Sequence, residues 1–119
     1  MTEMELLKQI QLALTKRGCR AFRANVGQGW TGRAMTLSDG TVVIKGARRF
    51  STGLPEGFPD LLVIAPGGRV AFMEVKTESG RVSAAQQHMH DFLTGFGQHV
   101  CVVRSVEDAI NYVEGIKNV

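Results

Sequence analysis

The sequence predicts an α/β domain with a mixed central β-sheet flanked by helices, and three observations carry that expectation. Helix-period apolar patterns occupy both ends of the chain and the stretch before its last strand. Between them lie short apolar runs punctuated by Gly, Pro and Asp turns. Two of these runs, Leu61–Ile64 and Val70–Val75, are apolar on both faces apart from one acid. Strands of that kind sit in the middle of a sheet, with helices over both sides.

With 119 residues the chain can build one core and not two, so residues 1–119 are expected to form a single domain. Apolar residues at 44% and charged ones at 21% are the balance of a soluble globular protein rather than of a disordered one. No apolar run approaches the ~20 residues of a membrane helix. Met1–Gln9 is too charged for a secretory signal, so a cytoplasmic location is expected. Cys19 and Cys101 lack a metal-ligand spacing and are expected to be reduced packing residues.

Thr2 is placed to cap a helix from Glu3 to about Lys16, ended by Arg17-Gly18, with Leu7, Ile10 and Leu14 as its apolar stripe. Glu3 aligns with that stripe, whereas Glu5 falls on the side of Lys8, Leu12 and Lys16. Cys19–Val26 is expected as a strand, with Arg23 and Asn25 on one face. Gly27–Arg33 follows as a flexible polar loop holding Gln28 and the single tryptophan, Trp30. Strands Arg33–Leu37 and Thr41–Lys45 are expected to flank a Ser38-Asp39-Gly40 turn, and Gly46–Gly53 to form a second loop with Arg48 and Arg49.

The most informative stretch is Gly57–Lys76. Two apolar runs around Pro66-Gly67-Gly68 make a hairpin with an acid on each strand, Asp60 and Glu74, and a lysine, Lys76, two residues after the second acid. Glu74 and Lys76 share a face by alternation. Asp60 joins it only if the loop has an odd number of residues. With Pro66–Gly68 as the loop, Ala65 pairs with Arg69 and Asp60 lies opposite Glu74. Facing carboxylates repel each other unless a cation lies between them. Hard oxygen donors beside a lysine suit Mg²⁺ or Mn²⁺ rather than zinc. A solvated cluster of Asp60, Glu74 and Lys76 is the competing account, and the apolar neighbours on both faces count against it.

Beyond the hairpin, Ser83 and Gln86 fit a capping box that opens a helix to about Gly95. Gln86 also lies on the inward stripe with Met89 and Leu93, where a polar group needs a partner. His88, His90 and His99 have no spacing that forces metal binding, and surface or strand-edge positions are expected for them. Val100–Arg104 is expected as a strand, and Ser105 as the cap of a last helix through Ile116.

Charge is distributed unevenly. Residues 1–53 hold nine Lys/Arg against three Asp/Glu, and residues 54–119 hold five against eight. A polyanion drawn to the basic half would lie beside the acids. The candidate nucleic-acid contacts are Arg23, Asn25, Gln28, Trp30, Arg33, Arg48, Arg49 and Arg81; a solvated basic surface is the alternative.

Pro59-Asp60, a hairpin-length spacer and Glu74-Val75-Lys76 resemble the PD-(D/E)xK nucleases, whose fold is a restriction-endonuclease-like core. With Arg23–Gly27, Gly57–Leu61 and Gly80-Arg81-Val82-Ser83 up to Gln86, the ordered blocks resemble the virus-type replication-repair nuclease domain, VRR-NUC, over nearly the whole chain. That resemblance implies a metal-dependent endonuclease with Asp60, Glu74 and the Val75 carbonyl as ligands of Mg²⁺ or Mn²⁺. It implies catalytic roles for Lys76, Gln86 and a first-helix glutamate, Glu3 rather than Glu5. It further implies a homodimer similar to Holliday-junction resolvases, acting on branched DNA in recombination or repair, in a bacterial or phage-infected cell. Cleavage of other branched, flapped or nicked DNA is the alternative, as is a non-catalytic nucleic-acid-binding subunit on a nuclease fold.

Overall fold

The computed structural model describes residues 1–116, and the elements run α1 (Glu3–Lys16), β1 (Arg20–Arg23), β2 (Gln28–Thr36), β3 (Val42–Ser51), β4 (Leu61–Ala65), β5 (Arg69–Val75), α2 (Ala84–Gly95), β6 (His99–Val103) and α3 (Val106–Ile116). Residues 117–119 of the expected domain lie outside the described residues. Four strands form a sheet in the order β1-β4-β5-β6, with β1/β4 and β4/β5 antiparallel and β5/β6 parallel. The sheet is mixed, as expected from the helix between β5 and β6, which makes the crossover a parallel pair requires.

One face of the sheet builds the core. Leu61, Val63 and Ala65 of β4 and Ala71, Met73 and Val75 of β5 are buried there with Leu6, Leu7, Ile10 and Leu14 of α1. Val103 of β6 and Ala109, Val113 and Ile116 of α3 complete the cluster. Two helices thus cover one face and α2 covers part of the other. That second cover is incomplete, since Leu62 and Phe72 are half-buried and Ile64 is exposed.

The expected β4–β5 hairpin has its expected register: Ala65 pairs with Arg69 and Leu61 with Met73, which puts Asp60 opposite Glu74. Upstream the sequence expectations need correction. β1 ends at Arg23 rather than Val26, so Asn25 lies past the strand. Gly27–Arg33 and Gly46–Gly53 are not flexible loops, because β2 begins at Gln28 and β3 continues to Ser51. They pair as a two-stranded ribbon outside the main sheet, with an irregularity between Thr31 and Arg33. The glycines that suggested loops serve the ribbon instead: at Gly32 a Cβ would lie 2.7 Å from both the Ile44 side chain and the Lys45 carbonyl. The ribbon projects from the body. The Cα radius of gyration is 16.9 Å, against ~13.5 Å for a compact chain of this length.

Candidate active site

Local chemistry brings Asp60 and Glu74 together. Pro59 is fully buried and anchors the chain entering β4. Ala24 donates its N–H to the Asp60 carbonyl at 2.8 Å, fixing that backbone from the other side. Gly57 has φ +86°, and a Cβ there would lie 2.3 Å from the Ala85 carbonyl oxygen. Only glycine lets this loop pack so closely on the first turn of α2.

The Asp60 Oδ2 accepts the Val75 N–H at 2.8 Å, which ties the acid to the backbone between Glu74 and Lys76. Glu74 is 0% exposed. Its Oε2 accepts from Gln86 Nε2 at 3.3 Å, and its Oε1 lies 3.1 Å from His90 Nε2. Burial, followed by the hydrogen bond and charge of Asp60, pushes the Glu74 carboxyl up to about 9. The Lys76 charge opposes that rise and the Glu3 charge adds to it. Glu74 therefore holds a proton at neutral pH in the metal-free protein. Burial also lowers His90, leaving its ring neutral. The His90–Glu74 contact is then a hydrogen bond rather than an ion pair.

Lys76 is only 9% exposed, and its N–H is held by the Val103 carbonyl at 3.0 Å. The turn after it is clamped by Arg104, whose Nη1 donates to the carbonyls of Thr77, Glu78 and Gly80 at 2.8, 3.3 and 2.6 Å. Gln86 both caps α2 and finds its inward partner in Glu74. Its Oε1 accepts the Ser83 N–H at 2.9 Å in the capping box, and the opposite end of its amide reaches Glu74. An amide has an acceptor at one end and a donor at the other, so neither task excludes the other.

His90 was not expected here. It is 6% exposed and shares with Gln86 the contact to Glu74. The signal was present in the spacing, because Gln86 and His90 are four residues apart on one helical face. Glu3 is exposed and acts on Glu74 through its charge, whereas Glu5 is occupied by the Thr2 N–H at 2.9 Å in a second capping box.

Arg23, Ala24, Asn25 and Val26 line a cleft of ≈350 Å³ with Glu56–Phe58, Asp60, Ser83 and Gln86. The structure thus brings Arg23 and Asn25 into the cleft that Asp60 lines. Gln28, Trp30, Arg33, Arg48 and Arg49 lie on the ribbon instead, and Arg81 on the exposed segment before α2. Arg49 sits over the Trp30 ring at 5.4 Å and bonds the Gln28 side chain.

The donor set fits a hard cation. Among the described residues no three His, Cys, Asp or Glu side chains form a ready-made cage. Mg²⁺ takes one or two carboxylates and keeps several waters. Asp60 and Glu74 form such a pair once the proton on Glu74 is released, since a carboxyl binds a metal only when deprotonated.

The VRR-NUC domain family model matches residues 3–107. A solved structure titled "VRR_NUC domain" superposes with a TM-score of 0.61 over 94% of this chain and 94% of its own, at 24% identity, a likeness of fold. No curated protein matches the chain. No described helix is long and apolar enough to cross a membrane.

Proposed function

Because the chain belongs to the VRR-NUC family, a family of nuclease domains that cut phosphodiester bonds, we propose that it is a Mg²⁺- or Mn²⁺-dependent endonuclease of branched DNA. The observation that carries this reading is the facing pair Asp60 and Glu74, with Lys76 buried beside it. Asp60, Glu74 and the Val75 carbonyl would hold the ion. When bound, it polarises the phosphate and supplies a nucleophilic water at neutral pH. Lys76 offsets the charge that grows on the phosphate in the transition state and holds the attacking water. Gln86 and His90 fix the Glu74 carboxylate from α2, and Glu3 adds negative charge at the far rim. Arg23 and Asn25 take the neighbouring phosphates.

One chain has one such cleft and so cuts one strand. Paired nicks across a four-way junction need two copies, and a homodimer similar to Holliday-junction resolvases is the substrate reading favoured here. Exposed Phe22 and Ile64, which share a face on β1 and β4, and exposed Phe92 of α2 with Phe96 at its C-cap offer apolar surface for it.

The test is cleavage of four-way junctions, flaps, splayed arms and linear duplexes with Mg²⁺ or Mn²⁺. Asp60→Ala and Lys76→Ala are each expected to lose cleavage by roughly 1,000-fold or more, from the loss of several kcal/mol of transition-state stabilisation. Undiminished cutting by either variant would sink the enzyme assignment. Cutting of flaps with junctions left intact would move the substrate away from junctions.

A further inference from the structure

The ribbon carries a cationic face that the cleft does not use. Directly paired residues share a face of an antiparallel ladder, as do residues i and i+2 along a strand. The register changes from Thr31 opposite Arg48 to Arg33 opposite Lys45, so Gly46 and Ala47 together face Gly32. This bulge brings Arg33, Lys45 and Arg48 to one face, with Phe50 and Met35 along it. Arg33 and Lys45 stand directly opposite each other, and all three cations are exposed. The described salt bridge that uses an arginine lies elsewhere, at Arg17–Glu114. The ribbon's one acid, Asp39, lies at the tip and accepts the Thr41 N–H at 2.9 Å.

Like charges set directly opposite each other destabilise a strand pair, and a ribbon outside a larger sheet has little stability to spare. We propose that this face binds the phosphate backbone of a nucleic-acid duplex running out of the cleft, with the ribbon lying in its groove. The proposal rests on the nuclease reading and names the duplex arm as what the ribbon holds. Three features favour that occupant. The face is complementary to a polyanion. The ribbon springs from Gln28, just after the cleft-lining Val26. A two-stranded ribbon also fits the major groove, about 12 Å wide. A second copy's ribbon would present the same three cations to this face, which argues against ribbon-on-ribbon pairing.

The experiment is fluorescence anisotropy of a labelled blunt duplex and of one of its single strands, in EDTA, across a salt series. It compares wild type with Arg33→Gln, Lys45→Gln and the triple variant R33Q/K45Q/R48Q, with thermal unfolding and sedimentation in parallel. The triple variant is expected to bind duplex about tenfold or more weakly near 0.1 M salt. Its slope of log affinity against log salt should fall by two to three, about 0.9 for each phosphate contact. Each single variant should lose about one unit of slope, which keeps the proposal testable if the triple fails to fold. An unchanged duplex affinity and slope would overturn it. So would a variant that binds duplex normally but no longer self-associates, since the face would then be a protein interface. Duplex binding without cutting in Mg²⁺ or Mn²⁺ would remove the nuclease reading and leave the ribbon its role, whereas cutting with indifferent ribbon variants would do the reverse.

Discussion

The two hairpins of this chain make opposite uses of one electrostatic device. In β4–β5, two acids face each other at the rim of a closed core. In β2–β3, two bases face each other on an arm that no helix covers. Both pairs set like charges against each other, and in both the ligand proposed carries the opposite charge. The surroundings decide how that repulsion is expressed. Around Glu74 water is excluded, so the repulsion is relieved by uptake of a proton. Around Arg33 and Lys45 water and salt screen the charges, and the cost is small. A buried pair thus makes a binding site of high contrast, and an exposed pair makes a graded, salt-dependent grip.

This contrast can be tested by weakening each hairpin in turn. The largest effect is expected from the support of the buried acid. His90→Ala should weaken Mn²⁺ binding, followed by electron paramagnetic resonance without DNA, by roughly 10- to 100-fold, the usual cost of losing a partner that orients a ligand. His90→Gln should recover part of it. Equal Mn²⁺ affinity in all three proteins would mean that His90 merely fills space.

A smaller effect concerns pH. The raised Glu74 carboxyl means that the metal-free folded protein holds a proton that the unfolded chain releases near its ordinary value of 4.5. Folding stability from this group is therefore fully present below that value and declines as pH rises toward about 9. Glu74→Gln should flatten that decline in chelator-treated protein and raise its melting temperature near pH 8. A decline as steep as wild type's would place the proton elsewhere. The smallest effect belongs to the arm. Lys45→Glu converts the facing bases to an opposite-charge pair and should stabilise the ribbon by a few tenths of a kcal/mol, seen as slower amide exchange on β2 and β3. Faster exchange would show that the bases do not oppose each other.

The β4–β5 hairpin was legible in the sequence because its signals are local. Pro66-Gly67-Gly68 sets an odd loop, the loop sets the register, and the register brings Asp60 to Glu74. Both α2's capping box and its approximate end followed from Ser83, Gln86 and Gly95 in the same way. The ribbon was legible only in its outer half, the Ser38-Asp39-Gly40 turn and the strand ends beside it, because Gly27, Gly29, Gly32 and Gly46 carry the composition of a loop. A bulge and a ring, Phe50 packed across Gly29, turn those glycines to strand use, and single-residue propensity does not register such pairings. His90 was missed because the stripe through Gln86 was followed to Met89 and Leu93, and the position four residues on was left to solvent. Which face of α2 meets Glu74 is decided by the helix packing on β6, a tertiary matter.

Gln86 spans from the backbone of Ser83 to the carboxylate of Glu74, and so the starting point of α2 and the aim of the acid are one mechanical quantity. A helix can lengthen or fray at its far end, beyond Leu93, without the Glu74 oxygens feeling it. One residue inserted between Gly80 and Ser83 would be felt at once, because it would turn the helix about its axis and carry both supports of the acid away together. The short segment after Lys76 is therefore sensitive to its length, and Arg104 clamps it through the carbonyls of Thr77, Glu78 and Gly80.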